Sequence, residues 1–228
     1  QIRLGFDFNF YPSNSYILSV SSLIDCSGNS NTNSVIFGIP DSALENEIVI
    51  NEILFNPKED GVDYVELFNN SNSFFDLAKL NLANFFSFGN EPYPENQQEI
   101  SNETHLFNPY SYLVLCTDSA KVKDQYFTEN SYDFIELDAF PSLSNDSGNI
   151  CLVHQSLNQI IDAFSYSEDM HFSLLETREG VSLERLNVNK EAQRNDNWHS
   201  AASTVGYGTP SYQNSQLSLT QNSGVINI

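Results

Sequence analysis

The chain has 228 residues, 30 Asp plus Glu against 9 Lys plus Arg, and a formal charge of −21. Nucleic acid and anionic membrane surfaces are held chiefly through Lys and Arg, so both are excluded as partners of a chain this acidic. Only 17% of residues are charged while 40% are hydrophobic, with 17 Phe and 11 Tyr, too much apolar and aromatic surface for a disordered acidic tail.

The 28 Asn and 30 Ser outnumber the 10 Gly, and their side chains bond to nearby backbone, favouring turns over helix interiors. Between such turns lie short runs of Val, Ile, Phe and Tyr, which predicts an all-β chain. Residues 2–10, 16–24 and 35–39 read as strands, separated by Pro12-Ser13-Asn14 and by the polar stretch 27–33. Three strands do not close a sandwich of about seven, so residues 1–46 read as the end of a domain whose beginning precedes Gln1. The chain opens Gln1-Ile2-Arg3-Leu4 with no charged-then-apolar leader, as a fragment of a longer protein would. It contains no apolar run of about 18 residues of the kind that spans a membrane.

A stronger pattern starts at Glu47. Residues 48–55 and 63–68 read as strands around the turn Asn56-Pro57-Lys58-Glu59-Asp60-Gly61, and further strands are expected at 75–82, 112–116, 149–154 and 160–166. Two insertions interrupt them. Residues 89–108 are expected to loop over the surface because Pro92 and Pro94 oppose a helix, and 121–138 to hold a helical turn before a short strand at 134–137. Residues 181–186 alternate as a strand, Asn197-Trp198-His199 carries the only Trp, and Gly206, Gly208 and Pro210 mark irregular chain lying along the sandwich. The expected division is a remnant over 1–46, a main β-sandwich with its extension over 47–213, and a linker over 214–228. Nineteen acids against four bases fall between 47 and 165, so the main domain carries most of the charge.

The search for chemistry yields little. His105, His154, His171 and His199 are far apart, and no zinc, nucleophile-elbow, phosphate-loop or EF-hand spacing is present. His154 ends a strand and is expected to be exposed; His199 is expected to pack the extension down together with Trp198. Glu52 and Glu66 lie on neighbouring strands, as the paired carboxylates of a glycosidase would. The competing expectation is structural: Glu52 or Glu66 accepts hydrogen bonds inside the sandwich and pairs with Arg185, since a carboxylate drawn into a sheet needs a partner. Glu47, Glu59, Asp60 and Asp63 form the densest acidic cluster, read either as a Ca²⁺ site built from carboxylate oxygens or as a solvated turn. No other cofactor is expected. Cys116 and Cys151 fall within apolar strands and read as buried thiols or as a disulfide. Phe85, Phe86, Phe88 and Tyr93 either offer aromatic contacts near the first insertion or pack beneath it.

Ile50-Asn51-Glu52-Ile53, Asp63-Tyr64-Val65-Glu66-Leu67-Phe68-Asn69-Asn70, Phe75-Asp76-Leu77 and the stretches 106–115, 143–153 and 160–166 resemble, in order, the strands of a lamin tail domain. Ala78-Lys79-Leu80 departs from that family's glycine-containing turn. The resemblance implies an immunoglobulin-like β-sandwich with no catalytic motif of its own. Residues 180–185, 197–203 and 208–214 look like the extension that follows this domain in large surface proteins of Bacteroidetes-type bacteria. Leu23-Ile24-Asp25-Cys26-Ser27-Gly28-Asn29 and Phe37-Gly38-Ile39-Pro40 are similar to the end of a bacterial immunoglobulin-like domain, in which the cysteine matching Cys26 pairs upstream. Asp41-Ser42-Ala43 and Asp118-Ser119-Ala120 resemble an O-glycosylation signal of exported proteins in these bacteria, at Ser42 and Ser119. The implied role is a non-catalytic structural or interaction module, secreted or at the cell surface, that meets neighbouring domains of the same chain, a surface protein or a glycan. The alternative is an accessory domain of a secreted nuclease or phosphatase whose catalytic domain lies elsewhere.

Overall fold

The computed structural model describes residues 5–12, 14–88 and 91–217. β1 (Tyr16–Ile24) and β2 (Ser30–Phe37) form an antiparallel hairpin of their own. The Asp25 carboxylate closes its loop by accepting the N–H groups of Ser27 and Asn29 and the Asn29 amide. That compact turn lets the second strand start at Ser30, inside the polar stretch expected to separate the two strands. No strand precedes the hairpin among the described residues. Residues 2–4 of the run expected there lie outside them, and Phe6, Phe8 and Phe10 pack edge-on instead, with Phe10 against Tyr16 and Phe37.

The remaining chain supplies β3 (Ile48–Leu54), β4 (Tyr64–Asn69), β5 (Phe75–Asp76), β6 (Leu80–Phe88), β7 (Glu91–Glu99), β8 (Leu106–Phe107), β9 (Tyr112–Cys116), the helix α1 (Ser119–Gln125), β10 (Phe134–Glu136), β11 (Ser147–His154), β12 (Gln159–Ser167), β13 (Leu183–Arg185) and β14 (Trp198–Ser200). One sheet runs β10-β9-β4-β3-β13-β14, a second β12-β11-β6-β7, and β5 pairs with β8. Only β10 and β9 are parallel within these sheets. Ile50, Ile53, Val65 and Leu115 from the first sheet meet Leu82, Ile150, Leu152 and Phe164 from the second in a single core. The protein is therefore all-β, with two sheets stacked face to face.

Three elements differ from expectation for identifiable reasons. The strand expected at 75–82 is split, because the Asp76 carboxylate caps a 3-10 turn at Leu77–Lys79 by accepting Ala78 N–H. The first insertion is a strand, β7, despite Pro92 and Pro94. Both prolines lie two apart on the outer strand of its sheet, where their missing N–H groups cost no ladder bond. The polar junction before Glu47 is part of the sandwich: Asp41 N–H bonds Phe74 O at 2.7 Å, Ala43 is buried in the core, and a Cβ on Gly38 would strike the Phe74 ring.

All three cysteines are free thiols, Cys116 and Cys151 buried in different sheets. Burial raises both to about 12, so they act as small apolar side chains.

Every residue of β3 is buried, because both faces of its sheet are covered. One face meets the core. On the other, α1 and Tyr126 cover Leu54, Tyr64 and Val114, and residues 207–217 lie over the rest as a strap.

Candidate functional site

A bulge in β3 between Ile50 and Glu52 turns Glu52 away from the core and onto the strap-covered face. The register then sets Glu184, Glu52 and Glu66 opposite one another on three adjacent strands. All three are fully buried.

The strap supplies their donors. Glu52 accepts Thr209 N–H at 2.9 Å and the hydroxyls of Tyr64 and Ser182 at 2.5 Å each, and its other oxygen lies 2.7 Å from Thr209 Oγ1. Glu66 accepts Ser211 N–H at 2.6 Å and the Asn51 amide at 2.8 Å. Glu184 accepts Ser215 N–H at 3.1 Å, the Ser215 hydroxyl at 2.9 Å and Gln216 N–H at 2.8 Å. Asn214 donates to the backbone oxygens of Asn51 and Arg185. Residues 214–216, expected to begin a linker, are thus bound to the sheet, while 218–228 lie outside the described residues. Gly208 passes so close to the Tyr64 hydroxyl and the Tyr126 ring that a Cβ there would stand 2.8 Å from each. Burial, and then repulsion from Glu184, raises the Glu52 carboxyl to about 7. Burial and then the charge of Glu52 raise Glu66 well above the usual carboxylate range.

Arg185 does not pair with either acid. It is the neighbour of Glu184 in an extended strand and so faces the opposite way, into the core, where it is fully buried. Its guanidinium reaches Asp162 of β12 at 2.7 Å, Ile50 O at 3.3 Å and Lys190 O at 2.7 Å. Asp162 also accepts Ile50 N–H at 2.8 Å. This ion pair links the two sheets through their shared core. Trp198 lies on the same layer, stacked 3.8 Å from Phe164 and donating to Ala192 O at 2.6 Å.

Sequence reasoning found Glu52, Glu66, Arg185 and Trp198 but missed Glu184, Asp162 and Thr209. Alternation held a signal for Asp162, which shares parity with the core residues Phe164 and Tyr166.

The expected calcium ligands do not converge. Glu47 accepts Leu44 N–H within its own turn, and Glu59 N–H bonds Glu179. Asp60 caps the bend in a left-handed conformation, with φ 62°. Asp63 stands half-buried, its carboxyl raised by burial to about 7. Among the described residues no three His, Cys, Asp or Glu gather as a metal would require. His154 is buried at the end of β11, where it was expected to be exposed. Ser42 is exposed, and Ser119 sits in the first turn of α1 with its hydroxyl accepting Lys123 Nζ at 3.2 Å.

One Ser–His contact has the length of a catalytic pair. Ser200 Oγ lies 2.9 Å from His171 Nδ1. Ser200 is 2% exposed and its Oγ accepts Phe172 N–H, while His171 Nε2 has no partner to orient the ring. Burial, then the charge of Arg178, lowers His171 to about 4, so the imidazole is neutral. A nucleophile closed to substrate is a packing device.

A shallow groove of about 690 Å³ runs beside the outer edge of β12, lined by Tyr93, Pro94, Asn158, Gln159 and Glu191 among others. Tyr93 and Phe86 stack at 5.8 Å on the β6–β7 hairpin, each about half exposed.

No family model matches the chain, and no curated protein matches it. Among solved structures it is similar to a DUF4876 family protein from Bacteroides thetaiotaomicron VPI-5482, at 12% identity and a TM-score of 0.41 over 90% of this chain and 88% of that one.

Proposed function

We propose that the chain is a non-catalytic interaction module of lamin tail type within a secreted or cell-surface bacterial protein. One observation carries this reading: the groups that chemistry would need are closed inside the fold, while apolar side chains stand on projecting hairpins. The acid row is hydrogen-bonded to the strap and the Ser–His contact is sealed. By contrast Ile17, Val35 and Ile36 on the β1–β2 hairpin and Phe86 and Tyr93 on the β6–β7 hairpin face solvent. Projecting aromatics beside a groove of mixed apolar, amide and carboxylate lining suit contact with a glycan or a polypeptide, and the β1–β2 hairpin suits a neighbouring domain.

The test pairs binding with turnover. The purified chain is passed over a glycan array and a panel of surface proteins, and separately incubated with chromogenic phosphomonoester, phosphodiester and glycoside substrates. Binding that weakens at least tenfold in Tyr93→Ala, with no turnover, is expected. Turnover lost in Glu52→Gln or Ser200→Ala overturns the reading in favour of a hydrolase.

A further inference from the structure

Thr209 presents one hydroxyl to two carboxyl groups. Its Oγ1 lies 2.7 Å from Glu52 Oε2 and 2.8 Å from Glu184 Oε1, yet a hydroxyl has a single proton to donate. Both contacts are hydrogen bonds when one carboxyl carries a proton and gives it to Oγ1. The other donors indicate which. Glu184 receives Ser215 N–H on the same Oε1, and the Ser215 hydroxyl and Gln216 N–H on Oε2. Glu52 takes its remaining three donors, from Tyr64, Ser182 and Thr209 N–H, all on Oε1. Oε2 of Glu52 is left facing Thr209 alone, as the oxygen that carries the proton. The chain of bonds then runs from Glu52 Oε2–H to Thr209 Oγ1 and from Thr209 Oγ1–H to Glu184 Oε1.

We infer that the Glu184–Glu52–Glu66 row is a proton-binding site, and that the protons it holds clamp residues 207–217 onto the sheet, so that ionisation of the row releases the strap.

The phenols of Tyr64 on β4, Tyr112 on β9, Tyr126 after α1 and Tyr212 on the strap itself feel the row's charge, and Glu129 in the loop after α1 acts on Tyr112 and Tyr212. Among the described residues no Lys, Arg or His forms a salt bridge with Glu52, Glu66 or Glu184. Arg185 points to the opposite face, and Lys58 lies over the Tyr126 ring. The elevated carboxyls of Glu52 and Glu66 agree with proton retention near neutrality. Once the row ionises, adjacent buried carboxylates repel one another, and water is their only remedy. β3, β4 and β13 are fixed by the sheet and the core. The strap is the one covering element held by the row itself, so it is what gives way.

The experiment is amide hydrogen exchange on the full chain at pH 5.5 and pH 8.5, corrected for intrinsic exchange rates. Protection in peptides spanning 207–217 is expected to fall at least tenfold at the higher pH, while β11 peptides hold theirs. In the double variant Glu52→Gln/Glu66→Gln, whose amides stay neutral, strap protection should no longer change with pH. Equal wild-type protection at both values overturns the inference, and so does a pH response that survives the double substitution. Infrared spectroscopy of the wild type gives a measurement independent of variant folding. A protonated-carboxyl band at pH 6 that disappears by pH 9 supports the proton site, and absence of the band at pH 6 overturns it.

Discussion

Arg185 and Glu184 are neighbours in one strand, yet they serve opposite faces of the sheet. Glu184 holds the strap and Arg185 joins the sheets by meeting Asp162 in the core. A charge pair this deep adds modest net stability against an apolar replacement, but losing one member strands the other without solvent. Arg185→Ala should therefore lower unfolding free energy by about 3–5 kcal/mol in urea denaturation. Arg185→Ala combined with Asp162→Ala should cost clearly less than the two single changes added together. Strict additivity would show that the two side chains act separately. The sequence directed attention to Arg185 but to the wrong acid, and the cause is the β3 bulge. Counting from Ile48 and Ile50, unbroken alternation sets Glu52 on the core face with Arg185. The extra residue at Asn51 reverses that parity, and nothing local in Ile50-Asn51-Glu52 announces it.

At the scale of elements, the main strands follow from alternation because one face of each must meet the core, which fixes both type and register. β3, β4, β9 and β12 were legible for that reason. β7 was not: its residues 91–99 carry two prolines and a run of five acids or amides at largely solvent-facing positions, so the sequence holds no buried face to alternate against. The strap was legible as chain lying along the sandwich, but its partners were not, since hydrogen bonds to Thr209, Ser211 and Ser215 leave no periodic pattern. The edge of β12 shows a further device invisible in sequence. Gln193 imitates a neighbouring strand there, accepting Ser165 N–H at 2.8 Å on its amide oxygen and donating to Ser165 O at 3.1 Å. Open edges invite pairing with other chains. Gln193→Ala should speed exchange of the Ser165 amide and raise the concentration-dependent association seen by light scattering, with a stability change within about 1 kcal/mol. Unchanged exchange at Ser165 would mean that another group shields the edge.

For the whole molecule, a charge of −21 suggests that stability is governed by repulsion among surface acids. The buried groups set the pH dependence instead. Exposed carboxylates have finished titrating by about pH 6.5 and contribute no slope above it. Glu52 and Glu66 have folded pKa values above their unfolded ones, so the stability they confer is fully present below about 4.5 and is lost as pH rises through about 7 and beyond. His171 acts in the opposite sense over a lower window. Its folded value of about 4 lies below the ordinary 6.5, so it adds stability as pH rises between those limits and nothing thereafter. From about pH 4.5 to 6.5 the gain from His171 offsets only part of the loss from the two acids, so the net fall is shallower there, and only the acids titrate above. Glu52 alone is worth on the order of 3 kcal/mol across its window, which for a chain of this length corresponds to roughly 6–12 °C in thermal midpoint. Calorimetric scans should give a midpoint that falls between pH 5 and 9, with the fall reduced in Glu52→Gln chiefly below about pH 7. A midpoint that falls no more in the wild type than in Glu52→Gln would mean that the row is already ionised in the folded protein, with Thr209 shared between two carboxylates.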